Sequence, residues 1–127
     1  MGLCALRVSA VRLYSCWEVP MTFFHVADLP SVEMLPGVIR RAVWLDNVMV
    51  TFFEFEPNTV VPTHDHPHEQ ITYVVEGEME FTLGEETRRL RAGEGVCIPP
   101  NTPHGARILD RRTFVLDAWH PPREDYK

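Results

Sequence analysis

The sequence predicts an all-β protein: a small barrel or sandwich of about nine short strands. Three observations carry that expectation. Eleven prolines and seven glycines are spread as punctuation between short apolar runs, the spacing of strands joined by tight turns. Several of those runs alternate apolar and polar residues with the period of two that a half-buried strand requires. Nowhere is there a long stretch with the 3.6-residue period of an amphipathic helix.

Taken in order, Pro36-Gly37 is a turn that opens a strand over Val38 to Leu45, and Asp46-Asn47 turns the chain back. Val48 to Phe55 is a stronger strand. Val48, Val50 and Phe52 share one face, Met49, Phe53 and Phe55 the other, so both faces are expected to be buried. After the turn Glu56-Pro57-Asn58-Thr59, a strand runs from Val60 to His66. Ile71 to Glu76 follows, with Thr72 and Val74 on one face and Ile71, Tyr73 and Val75 on the other. Gly77 ends it. Glu78 to Leu83 alternates cleanly, Met79, Phe81 and Leu83 inward and Glu78, Glu80 and Thr82 toward water. Gly84-Glu85-Glu86 is a hairpin turn into the arginine-rich Thr87 to Arg91, an expected solvated face. Val96 to Ile98 leads to a stiff loop, Pro99 to Pro103, which delivers His104. Gly105 to Leu109 and Arg112 to Trp119 are the last strands.

A chain of 127 residues is the size of one domain, placed here over residues 21–127. A net charge of -6 argues against a nucleic-acid partner, and the apolar runs are too short to span a membrane as helices. Cys4, Cys16 and Cys97 make an odd count without ligand spacing, so neither a disulfide framework nor a thiolate metal site is expected. A reducing cytoplasm is the default location. Residues 1–20 fit neither a strand nor a helix nor a signal peptide, whereas Met21 opens a segment that reads like a natural start. They are expected to be a non-native or disordered extension, the competing reading being an arm that packs on a partner subunit.

The chemistry concentrates in His64-Asp65-His66-Pro67-His68-Glu69-Gln70. Residues of equal parity in an extended strand share a face, so His64, His66 and Gln70 can present two imidazoles and an amide carbonyl together. With His104 brought from the proline-rich loop, the four make a candidate set for one divalent metal. His68 has the same parity, but Pro67 interrupts the run; it is expected at the rim or behind the ligands, supporting them.

These residues resemble the two motifs of the cupins. The first cupin motif runs Gly, five residues, His-x-His, three or four residues, Glu, six residues, Gly. Here it reads Asn58, five residues, His64-x-His66, three residues, Gln70, six residues, Gly77. The second runs Gly, five residues, Pro-x-Gly, two residues, His, three residues, Asn. Here it reads Gly93, five residues, Pro99-Pro100-Asn101, two residues, His104, three residues, Ile108. Asn58 and Asn101 replace glycines, and asparagine is the next best residue for a left-handed turn. Gln70 in place of Glu changes the chemistry, and Ile108 replaces a packing residue. The resemblance implies a conical β-barrel (a double-stranded β-helix or jelly roll), a divalent metal in its lumen and a homodimer.

A narrower resemblance lies in the tail, Asp117-Ala-Trp119-His-Pro121-Pro122-Arg123-Glu-Asp125-Tyr126. It looks like the tail of bacterial cupins from pectin and alginate breakdown, which convert 4,5-unsaturated monouronates into open-chain keto-uronates. It implies catalytic or substrate roles for Asp117, Trp119 and Arg123. Three histidines and a glutamine add no charge, so the metal keeps its own and acts as a strong Lewis acid. With no thiolate, Mn, Fe, Ni, Co and Zn all remain open.

Gln70 cannot serve as a base, so proton transfer falls to another group. Asp117 shares the parity of Thr113, Val115 and Trp119, and on such an apolar face its pKa is expected to rise; the alternative is an ion pair with an arginine such as Arg107, or a place in water at the strand end. Arg123 can grip a substrate carboxylate with two parallel bonds, and Trp119 can stack on a sugar ring or pack in the core. The resulting expectation is a redox-neutral enzyme on a small sugar acid. A metal-dependent dioxygenase and a non-catalytic metal- or small-molecule-binding module are the alternatives.

Overall fold

The computed structural model describes residues 22–127; the expectation for residues 1–20 lies outside the described residues. Among the described residues ten strands form, in chain order β1 (Val32–Leu35), β2 (Val38–Trp44), β3 (Met49–Phe55), β4 (Val60–His64), β5 (Glu69–Glu76), β6 (Glu78–Leu83), β7 (Glu86–Arg91), β8 (Gly95–Ile98), β9 (His104–Ile108) and β10 (Thr113–His120). Two single-turn 3₁₀ helices, Val26–Asp28 and Glu124–Tyr126, flank them. The strands make a six-stranded sheet in the order β1-β2-β3-β10-β5-β8 and a four-stranded sheet in the order β4-β9-β6-β7. Every pairing is antiparallel.

The period of two decides what faces inward. On β3, Met49, Thr51, Phe53 and Phe55 are buried; on β5, Gln70, Thr72 and Val74; on β10, Thr113, Val115, Asp117 and Trp119. These inner faces meet Met79, Phe81, Leu90 and Ile108 from the smaller sheet in one core. Each fully buried aliphatic or aromatic side chain there contributes roughly 1.5–3 kcal/mol. The turns match their residues: Asn58 and Asn101 sit at φ 64° and 58°, so asparagine does take the left-handed positions.

The structure corrects several strand assignments. The even face of β3 is half-buried rather than enclosed. Glu78 is buried instead of facing water. Arg89 grips it through Nε and Nη2, both at 2.8 Å, and holds its carboxyl below the usual range. β1 was not anticipated, because its four residues bulge against β2 and show no alternation.

Candidate metal centre and its surroundings

The ligand candidates do not come from one strand, as parity suggested. β4 ends at His64, β5 begins at Glu69, and His66 lies in the connection between them. That connection carries the chain from the smaller sheet to the larger one, so His64 belongs to one sheet, Gln70 to the other, and His66 bridges the gap. His104 opens β9 and stands directly opposite His64 in the β4–β9 register. Gly105 permits this close approach: a Cβ there would lie 3.0 Å from the Val61 carbonyl. The proline-rich loop is tied to the histidine loop by Asn101, whose backbone N–H donates to the His66 carbonyl at 2.7 Å.

The three imidazoles converge. The ligating nitrogens of His64, His66 and His104 lie within 4.8 Å of one another. Their tautomers follow from their hydrogen bonds. His64 Nδ1 meets the Pro62 carbonyl at 2.8 Å, His66 Nδ1 the His68 carbonyl at 3.1 Å and His104 Nδ1 the Thr102 carbonyl at 2.8 Å. A carbonyl only accepts, so each Nδ1 carries the proton and each Nε2 is left with a lone pair, the arrangement that metal-bound histidines use. Burial lowers the pKa of His66 and of His104, which keeps both rings neutral.

Two further features fit a cation. His104 Nε2 is enclosed and has no hydrogen-bond partner. Gln70 Oε1 faces His66 Nε2 at 3.0 Å, while Gln70 Nε2 donates to Thr72 Oγ1 at 2.8 Å. With the His66 proton on Nδ1, an acceptor faces an acceptor. A metal ion held by both lone pairs would reconcile them. His64, His66, Gln70 and His104 therefore fit a divalent ion. His68 supplies its backbone carbonyl to orient His66, and its half-buried ring lies 5.6 Å from the His66 ring with Nδ1 enclosed.

Asp117 lies one inward step from that cluster. It pairs in register with Thr51 on β3 and Thr72 on β5, just as Trp119 pairs with Met49 and Gln70. Asp117 is 6% exposed, and its Oδ1 is enclosed with no hydrogen-bond partner. Burial raises its pKa from 3.8 to about 7, with the neighbouring Thr72 and Gln70 side chains pulling part of the way back. The alternative ion pair with Arg107 is absent, because Arg107 holds Glu80 at 2.9 Å.

Trp119 is buried and donates from Nε1 to Thr51 Oγ1 at 2.9 Å. Its indole lies 5.2 Å from the His66 ring and 5.6 Å from the Tyr126 ring. Arg123 lies over the same indole at 5.2 Å and over Tyr126 at 4.2 Å, and grips Asp125 through Nε and Nη2 at 3.1 and 2.9 Å. Thr51, Thr72 and Tyr126 also line this end of the barrel, and Arg40 reaches it by stacking on Tyr126 at 4.3 Å; none of them was singled out. The period of two marks both threonines as inward, and Arg40 as well, once Val38 is taken as inward. Tyr126 sits in a non-periodic tail and gave no such signal.

A lumen lined by three histidines and a glutamine, at the end of a two-sheet barrel, defines a class of protein. The chain belongs to the cupin family: residues 51–116 match the family model of the cupin domain, and the architecture is the cupin jelly roll. Within that family it is similar to the pectin degradation protein KdgF of Dickeya dadantii, 28% identical over 82% of this chain and 96% of that protein. The solved structure of KdgF from a Halomonas species is 34% identical, with a TM-score of 0.79 over 83% of this chain and 97% of that one. A shorter stretch, 48% of this chain and 27% of the relative, is 50% identical to an H2HPP isomerase of Bacillus subtilis.

Proposed function

We propose that this protein is a metal-dependent, redox-neutral enzyme that opens the ring of a 4,5-unsaturated monouronate to give an open-chain keto-uronate. The observation that carries this reading is Asp117: a carboxyl raised to about 7, with one oxygen unpartnered, beside Gln70 and the histidine cluster. Similarity to a pectin degradation protein along nearly that protein's whole length supports the substrate class. Similarity to an isomerase over a shorter stretch supports chemistry without net oxidation.

The reaction needs one group that both takes and gives a proton. The anomeric hydroxyl loses its proton, the bond from C1 to the ring oxygen breaks, and C4 gains a proton as the enol becomes a ketone. No electron is gained or lost. An acid with a pKa near neutrality serves both steps, and Asp117 is the enclosed carboxyl that fits. A divalent ion, when bound by His64, His66, Gln70 and His104, supplies Lewis acidity to a substrate oxygen. Gln70 accepts no proton, which leaves that work to Asp117. Arg123 takes the substrate carboxylate bidentately by exchanging it for Asp125, and Trp119 supports Arg123 and walls the site beside His66.

Ile71, Tyr73 and Val75 are exposed on the outer face of β5, an apolar stripe that suits a second copy of the chain; we assign a homodimer on that face. No helix among the described residues is long and apolar enough to cross a membrane. From the cysteine usage, an odd count without ligand spacing, we place the enzyme in a reducing cytoplasm.

The test is the ultraviolet absorbance of an unsaturated uronate. Metal-loaded protein should bleach it. The Asp117→Ala protein should keep its metal and lose turnover. Normal turnover by that variant would remove Asp117 from the mechanism, and oxygen uptake by the iron form without bleaching would replace the reading with the dioxygenase one.

A further inference from the structure

We propose that Arg40 is the strand-borne half of a carboxylate-binding site whose other half, Arg123, comes from the tail. The inference rests on the reading of the substrate as a sugar acid, and it adds a residue to which none of the resemblances assigns a role.

Arg40 lies on β2 opposite Phe53, on the inner face with Val38, and is 7% exposed. An arginine so deeply enclosed is normally paired with a carboxylate. This one is not: among the described residues it forms no salt bridge. Its Nη1 donates to the thioether sulfur of Met34 at 2.9 Å, a weak acceptor. Among the described residues its enclosed Nε has no hydrogen-bond partner, and no acceptor meets Nη2. The Nε–Nη2 edge is the one this protein uses elsewhere to grip carboxylates. Arg89 holds Glu78 that way, and Arg123 holds Asp125 that way. On Arg40 the same edge carries no anion.

The charge balance at this spot points the same way. Arg40 lies over the Tyr126 ring at 4.3 Å and Arg123 over the same ring at 4.2 Å. Two guanidinium groups thus share one aromatic ring, and the carboxylate beside them, Asp125, is already held by Arg123. Trp119 touches Tyr126 on one side and His66 on the other, so Tyr126 connects the two guanidinium groups to the histidine end, although the Arg40 backbone stands at the level of Phe53. A planar guanidinium that stacks on an aromatic ring while one edge lacks an acceptor is preorganised for a carboxylate. Arg40 is held in place by β2, whereas Arg123 hangs on the tail.

The competing role is mechanical, with Arg40 merely holding Tyr126 and the tail. Calorimetry on the metal-loaded full chain separates the two, with galacturonate and its uncharged methyl ester as probes. Wild type should prefer the acid. The Arg40→Met protein should lose about tenfold or more of that preference while its affinity for the ester is unchanged. The Arg40→Lys protein, which keeps a charge but not the bidentate edge, should recover only part. Unchanged preference in Arg40→Met overturns the proposal. So does an equal loss for acid and ester, which is the signature of a disturbed tail, and so does a wild type with no preference. If Arg40→Met fails to fold, Arg40→Lys carries the test: it should show a reduced preference, and a wild-type preference overturns the proposal. Acid preference without turnover of the unsaturated uronate would sink the enzymatic reading and leave Arg40 standing. Turnover together with unchanged preference in the variant would do the reverse.

Discussion

The two ends of the barrel lumen are built from the same strands and differ in one respect. At one end, β3, β5 and β10 point Phe53, Val74 and Val115 inward, against Met79, Phe81 and Ile108 of the smaller sheet. One step along the same strands, the inward residues are Thr51, Thr72 and Asp117, and beyond them stand Gln70 and the histidines. The first set contributes stability by removing apolar surface from water. The second set does the opposite: it encloses an unpartnered carboxyl oxygen and an unpartnered imidazole nitrogen, both costly in a closed interior. One end therefore holds the fold together, and the other uses part of that stability to keep reactive groups dry.

That contrast can be broken by mutation, starting where the effect is largest. His104→Ala should empty the metal site and abolish turnover, read by metal analysis of the purified protein; full occupancy would contradict the ligand set. Asp117→Asn should keep the metal and lower the rate by about 10²–10⁴-fold. The same substitution should raise stability in metal-free protein. The carboxyl titrates at 3.8 when solvated and at about 7 in the fold, so the native state holds the proton more tightly across that window. Stability then falls as pH rises from about 4 to 7. The Asp117→Asn protein escapes this loss, and should melt higher than wild type at pH 8, by a few kcal/mol, with the gain gone near pH 4. A fixed difference at all pH values would contradict the assignment.

At the apolar end the pattern should invert. Ile108→Ala should cost about 2–5 kcal/mol in denaturant unfolding and leave metal content and the pH–rate profile as they were. The smallest effect sits between the two ends. Thr72→Val removes the acceptor for the Gln70 amide and a group that restrains the Asp117 pKa. It should cost about 1 kcal/mol and move the Asp117-dependent limb of the pH–rate profile to higher pH. A limb that stays in place would disconnect Thr72 from Asp117.

Much of this was legible from residue spacing. Period-two alternation put Thr72, Asp117 and Trp119 on inner faces, and the two histidine motifs brought His104 to His64 across the chain. The legible part was local geometry that strands repeat. What failed was the same rule carried past a strand end. His66 lies in a connection with no fixed parity, and its position depends on a hydrogen bond from Asn101, 35 residues away. Glu78 looked outward because alternation ignores neighbours, whereas Arg89 draws it under cover. Arg40 stands beside Arg41 in a strand where one arginine faces in and the other out, and only the register against β3 shows which. Tyr126 comes from a tail whose path tertiary contacts decide.

The most direct measurement is a carboxyl carbon-13 NMR titration of Asp117 in chelator-treated protein. A midpoint near 7 is expected for a carboxyl dried by the barrel and ready to exchange a proton at neutral pH. A midpoint near 3.8, the value of a solvated aspartate, would mean that water reaches it, and the division of the lumen into a structural end and a reactive end would fall.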